Sequence, residues 1–384
     1  MGNNLDRRKI LLGGAALAAS SSLAAQQQEI RTAFIGVGVR GGNLLKQAVF
    51  QQNVKISAIC DIDGQTRDQA LSLAARDNPK SVTEWRAVLD LKDVDAVFIG
   101  TPCDLHAEMA AVCLEAGKYV YCEKPLAITP EGVDRVLRAA RKSKAFLQIG
   151  QQLRYFPAMR EAIRQIHEGI AGKTYIIKAH RHGGRSRPKE GAPAPTTQQK
   201  TRTDWYADVK RSGDLIVENA VHNIDACNWI ANSRPVSAYG HGKKYFPQPI
   251  PPGKLMMDGF SVEYIYENDM HCDYSQISFH PRHLKTLPSG MWYTVFGEKG
   301  SVYMTHSSAT FYDLHGEDEP RNLLPASASE RDNATADFFA CIREKRQPFA
   351  DVRVGAVAAL TAIMGREAIY KGRSVTWKEL GVEV

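Results

Sequence analysis

The chain has 384 residues, 43% of them apolar and 24% charged, with a formal net charge of +7. That length allows two domains and a sizeable core, and the composition is that of a soluble globular protein. The small positive excess contains no basic run with interleaved aromatics, which argues against a nucleic-acid surface.

Residues 1–25 stand apart from the rest. Arg7-Arg8-Lys9 precedes a mildly apolar run, Ile10 to Ala19, and Ser20 to Ala25 supplies small residues suited to cleavage. The run is too short to span a membrane, and no other segment qualifies. We read it as an export signal, which implies a periplasmic protein. The paired arginines suggest the twin-arginine route, which carries proteins already folded around a cofactor. An ordinary Sec signal is the alternative.

From 30 to 150 apolar strands alternate with helical stretches, the pattern of a doubly wound parallel sheet. Strands are expected at 30–36, 54–60, 95–100, 119–122 and 145–149, with helices near 40–50, 63–76, 104–117 and 130–142. The first strand runs into Gly36-Val37-Gly38-Val39-Arg40-Gly41 and then a helix. In that order the first glycine makes the turn, the second admits a pyrophosphate to the backbone, and the third lets helix and strand pack closely. The helix N-terminus then faces the phosphates. Asp61 ends the second strand, where a carboxylate accepts both ribose hydroxyls and repels a 2′-phosphate. This favours NAD over NADP, although Arg40 close by would complicate the choice. Two further strand ends face the same crevice: Thr101-Pro102, with His106 in the next helix, and Glu123-Lys124-Pro125.

The glycine fingerprint, Thr101-Pro102…His106 and Glu123-Lys124-Pro125, in that order and spacing, resemble the Gfo/Idh/MocA oxidoreductase family over essentially the whole chain after residue 25. The resemblance implies a Rossmann NAD-binding domain (30–150). It also implies a C-terminal α+β substrate and oligomerisation domain (151–384) with a largely antiparallel open sheet. It further implies a sugar or polyol substrate and a homo-oligomer, dimer or tetramer, and an exported setting implies that the NAD is tightly held. Cofactor contacts are then expected from Gly36, Gly38, Val39, Arg40, Gly41, Asp61, Thr101, Pro102, His106, Glu123 and Lys124. His106 has a purely structural role as its alternative.

Past 151 the pattern fits the second domain. A helix at 156–168 and a strand at 173–181 lead to a basic loop, 182–202. Strand-like runs follow at 235–240, 260–267, 271–279, 291–297, 301–306 and 309–314, and two helices, 331–346 and 353–371, close the chain. The Pro-rich stretch 247–252 reads as a surface loop. The seven cysteines are scattered without a CxxC pair, so buried free thiols are expected.

Oxidising a carbinol requires a group to take the hydroxyl proton and a charge to steady the oxygen. Lys124, at a strand's carboxyl end beside the nicotinamide half of the crevice, suits this chemistry. If 217–231 is one helix, Glu218, His222 and Asp225 share a face, and a carboxylate beside the imidazole orients it as a base. A salt bridge on the helix surface, or a core histidine satisfied by Asp225, is the plainer reading. Family members place Asp where Glu218 stands, and use it with the histidine and the lysine. Arg154, Tyr155, Tyr206 and Asp225 are candidate substrate contacts, with packing at the domain junction as the alternative for Arg154 and Tyr155. His180 and His182 are expected at the pocket mouth and Arg181 as a solvated loop charge. His280-Pro-Arg-His283 lacks a third ligand, so no metal is expected. Two other functions share these residues: glycoside hydrolysis through transient oxidation and elimination, and a non-catalytic sugar-binding role.

Overall fold

The computed structural model describes residues 29–184, 205–246, 256–324 apart from 282 and 285, and 333–384. Residues 1–25, where an export signal was expected, most of the basic loop and the stretch 247–252 lie outside the described residues.

Six strands, β1 (Ile30–Ile35), β2 (Val54–Cys60), β3 (Lys80–Val82), β4 (Ala96–Ile99), β5 (Tyr119–Cys122) and β6 (Leu147–Ile149), form a parallel sheet in the order β3-β2-β1-β4-β5-β6. Its central strands are almost continuously apolar because helices cover both faces. These helices are α1 (Val39–Ala48), α2 (Gly64–Leu73), α3 (His106–Glu115) and α4 (Pro130–Lys142). Local chemistry sets where they begin. Asp63 caps α2 by accepting from the Thr66 N–H at 2.7 Å, and Thr129 caps α4 with Pro130 in its first turn. Strand order reverses between β1 and β4, which opens a crevice beyond their carboxyl ends. The β3 strand was not anticipated. It is a three-residue edge strand, Lys-Ser-Val, with one apolar side chain and therefore no alternation to read.

Helix α5 (Pro157–His167) leads out of this sheet into β7 (Thr174–His182). Two helices, α6 (Asp214–Glu218) and α7 (Val221–Ala231), precede strands β8 (Pro235–Lys243), β9 (Gly259–Tyr266), β10 (His271–Ile277), β11 (Gly290–Gly297), β12 (Gly300–Met304), β13 (Ala309–Asp313) and β14 (Arg321–Asn322). Helices α8 (Ala334–Glu344) and α9 (Val352–Lys371) and strand β15 (Val375–Thr376) follow. The nine strands of this half form a second sheet, ordered β14-β13-β12-β11-β7-β10-β9-β8-β15. Every pairing is antiparallel except β7 with β10. One face is covered by helices and carries Ile177, Ala179, Cys272, Tyr274 and Tyr293, all buried. The long helix α9 reaches this sheet closely because its inner side is small. A Cβ on Gly365 would meet the Tyr264 hydroxyl at 2.3 Å.

The chain's last third also seals the first sheet. Phe34, Phe98 and Tyr121 stack across β1, β4 and β5 at centroid spacings of 4.6 and 4.8 Å, and Phe338 of α8 meets Phe98 edge-on at 5.0 Å. Offset and edge-on rings add to the area they bury. A helix from the second half therefore packs on the first domain. All seven cysteines are buried and free. Phe338→Ala should destabilise the protein by about 3–5 kcal/mol. Denaturant unfolding followed by fluorescence checks this, and a loss below 1 kcal/mol would contradict the packing role.

Candidate active site

The glycine turn is shaped by close contacts. Gly36 has φ of +77°, in the left-handed region that favours glycine. A Cβ on Gly41 would meet the Gly36 carbonyl oxygen at 1.8 Å, so only glycine lets α1 pack against the turn. Gly38 differs: its missing Cβ would point into open space, with nothing within 4 Å. It caps α1 with no side-chain bond, and the first turn carries no acid, an arrangement that suits an anion at this helix N-terminus. Val39 is exposed beside them. Asp61 is held at the end of β2 by the amides of Val37 and Asp63, at 2.8 and 2.9 Å. An open cradle at a helix N-terminus with a fixed carboxylate beyond it fits a dinucleotide. Arg40 turns away from Asp61. Its Nε donates to Glu123 at 2.7 Å, so the arginine weighed against the NAD preference belongs to the opposite side of the crevice.

Glu123 is buried, and its carboxylate lies where a Cβ on Gly150 would be, at 2.7 Å. It also receives the Lys124 amide. Burial opposes charge on Arg40, but Glu123 and Tyr121 outweigh it and hold the guanidinium pKa above its ordinary value. His106 is buried beside this turn, with Nδ1 at 2.7 Å from the Pro125 carbonyl and Nε2 at 3.0 Å from that of Thr101. Burial pushes its pKa down while the two carbonyls act to raise it. The ring sits between the Thr101-Pro102 and Glu-Lys-Pro turns with a carbonyl oxygen at each nitrogen.

Lys124 crosses to the second domain. Its Nζ donates to Glu218 Oε1 at 2.8 Å and also to the Glu218 backbone carbonyl. The expected helix over 217–231 is interrupted at Asn219-Ala220, leaving α6 and α7 as separate pieces, although both residues keep right-handed helical angles. Lys124 bonds the Glu218 carbonyl just before this interruption. Glu218 does not hydrogen-bond the imidazole. Nor does Asp225. Its two oxygens receive Arg154 in a buried fork at 2.8 and 2.9 Å, and Arg154 also lies over Trp229, 5.1 Å from its centroid. Tyr155 donates to Asp337 at 2.9 Å. Arg154, Tyr155 and Asp225 thus make their contacts at the domain junction, the packing role that was the alternative for Arg154 and Tyr155.

The imidazole partner is Gln151, a residue sequence reading passed over: its Oε1 lies 2.9 Å from His222 Nδ1. Burial, and then the charges of Lys124, Arg181 and Arg40, push the His222 pKa well below its ordinary value. The ring is neutral at pH 7.

Arg181 is not a solvated loop charge. It lies on β7, half-buried, and donates to the Asn219 carbonyl at 3.4 Å. Strand alternation sends its neighbours His180 and His182 to the other face. There they stack on each other at 3.9 Å, and His180 also meets Trp292. They do not line the pocket. Tyr206 does approach it, through a bond from Asn219 Nδ2 at 3.4 Å, and Gln276 on β10 donates to Asn219 Oδ1 at 2.8 Å. Arg181, Asn219 and Gln276 are polar groups that only the register of β7 with β10 brings together.

Residues 30–151 match the Gfo/Idh/MocA oxidoreductase family's NAD-binding Rossmann fold, and residues 159–303 match that family's C-terminal domain. Inositol 2-dehydrogenase of Salmonella paratyphi B is 27% identical over 262 residues, covering 64% of this chain and 70% of that one. A glycosyl hydrolase family 109 protein of a Shewanella species is 29% identical over 197 residues, 48% of this chain and 41% of that one. The solved structure of a levoglucosan dehydrogenase in complex with NADH and levoglucosan shares the fold, with a TM-score of 0.74 at 19% identity, over 91% of this chain and 99% of that one.

The open space at Gly38 yields a test. Gly38→Val should leave the thermal unfolding midpoint within about 2 °C, because no atom is displaced. NAD affinity should fall at least about tenfold, because the pyrophosphate loses its approach. Thermal unfolding checks the first half and calorimetric titration with NAD the second, and unchanged affinity would remove the cradle assignment. With both of its sequence domains matched and a dinucleotide cradle in place, the chain belongs to the Gfo/Idh/MocA oxidoreductase family.

Proposed function

We propose that this protein is an NAD-dependent oxidoreductase that moves a hydride between a carbinol carbon of a sugar, polyol or sugar derivative and a tightly held nicotinamide. The observation that carries the reading is the meeting of Lys124 with Glu218 and of a neutral His222 with Gln151 at the nicotinamide side of the crevice. Arg181, Asn219, Gln276 and Tyr206 stand near them as donors and acceptors suited to a polyhydroxylated substrate. The names of relatives that act on inositol and levoglucosan support the same substrate class.

The bound cofactor supplies the carbon that accepts the hydride. The protein's part is proton and charge. The neutral imidazole of His222 takes the hydroxyl proton, and the Lys124 ammonium, paired with Glu218, steadies the negative charge that develops on the oxygen. Glu123 and Arg40 hold the turn that carries Lys124.

Residues 1–25 support export, and outside the cytoplasm a free nicotinamide pool is not expected. The enzyme then keeps its cofactor and regenerates it with a second substrate. Pairing of subunits is supported by the uncovered face of the second sheet, where Ile265, Phe296 and Tyr312 are exposed.

Single-turnover near-ultraviolet absorbance with a panel of polyols, sugars and glycosides tests the reading. A lasting change in the reduced-nicotinamide band with a polyol or sugar is the expected result. Release of an aglycone with no lasting change would replace it with redox-assisted glycoside hydrolysis. No response to any member of the panel, with NAD bound, would favour a binding role.

A further inference from the structure

Two carboxylates lie within about one helical turn of His222, and neither serves its imidazole. Glu218 holds Lys124, and Asp225 holds Arg154. What reaches Nδ1 is an uncharged amide. Gln151 is 1% exposed, immediately beyond β6, where its N–H donates to the Ile149 carbonyl at 2.8 Å and its carbonyl accepts from the Arg154 N–H at 3.2 Å. Its backbone is thereby fixed at the junction, and its side chain spans from the first domain to α7.

We propose that Gln151 is a positioning residue that selects the Nδ1–H tautomer of His222 and leaves Nε2 bare to take the substrate's proton. The inference rests on the reading of His222 as the base. An amide oxygen only accepts, so Nδ1 must donate to it, and a neutral imidazole has a single N–H. No partner is recorded for Nε2 among the described residues. The charged groups that face the ring from other elements are Lys124 beyond β5, Arg181 on β7 and Arg40 on α1. Glu218 and Asp225 are the nearby acids, each spent in an ion pair.

The choice of an amide has a consequence. A carboxylate at this position would orient the ring equally well but would also stabilise imidazolium, filling Nε2 with a proton before substrate arrives. Gln151 gives direction without charge. Burial and the surrounding cations act the same way, so the base stays unprotonated across the physiological range.

Nitrogen NMR of the full chain labelled at histidine tests this, with the His222 signals assigned by their loss in His222→Gln. The wild type should show a protonated Nδ1 and a bare Nε2 from about pH 5 to 8. Gln151→Glu should raise the His222 pKa by about one pH unit or more, and move the acid limb of kcat/KM upward with it. Gln151→Met, which fills the space without an acceptor, should mix the tautomers and lower kcat about tenfold with KM little changed. Thermal unfolding reports whether each variant folds, and the Met variant carries the test if the Glu variant does not. An Nε2–H tautomer in the wild type, or identical tautomer and pKa in the folded variants, overturns the proposal. If the tautomer is as stated yet no polyol is oxidised, the base role fails and the Gln151 assignment stands.

Discussion

The Lys124–Glu218 pair is the interaction on which the rest of the site depends. It joins the turn after β5 to the end of α6, and so ties the dinucleotide half of the molecule to the substrate half. Both side chains are largely buried, at 14% and 10% exposure. A buried pair of this kind contributes little net stability over an apolar isostere, but removing one partner costs about 3–5 kcal/mol because the other is left uncompensated. Its value to the fold is therefore geometric. The lysine cannot leave the crevice without losing both bonds to Glu218, and the second of them, to the Glu218 carbonyl, lies where α6 ends and α7 is about to begin.

That break determines what the following residues do. With α7 starting at Val221, His222 lies in its first turn, facing Gln151, and Asp225 one turn later faces Arg154. Each acid near the histidine is matched with a cation from outside its own helix. The imidazole is left with burial and the charges of Lys124, Arg181 and Arg40 around it, and both keep it neutral. In the proposed reaction, proton acceptance by His222 and oxygen stabilisation by Lys124 are then separate roles of adjacent groups, with Glu218 bonded to the lysine. The Arg40–Glu123 and His106 contacts brace the same turn from the glycine loop and from α3.

Much of this was legible in the sequence where the signal is local. The glycine fingerprint, Asp61 at the end of β2 and the Glu-Lys-Pro turn each depend on residues close together in the chain, and strands β1, β2, β4, β5 and β6 follow from apolar runs. Signals that depend on distant partners were not legible. The interruption at Asn219-Ala220 has no proline or glycine to mark it, and the Glu218 carbonyl beside it is bonded by a lysine 94 positions earlier. Arg154 and Asp225 are 71 positions apart, as are Gln151 and His222, so no spacing rule connects them. Arg181 reads as a loop charge until β7 pairs with β10 and directs it to the covered face. The three-residue strand β3 was missed for a different reason: it has too few apolar residues to form a pattern.

The most direct test of the central claim is Lys124→Met, assayed for bound NAD and for single-turnover reduction with a polyol the wild type oxidises. The methionine keeps the length and removes the charge. The account predicts that NAD remains bound and that the reduction rate falls at least about a hundredfold. Reduction at the wild-type rate by the folded, NAD-loaded variant would contradict it.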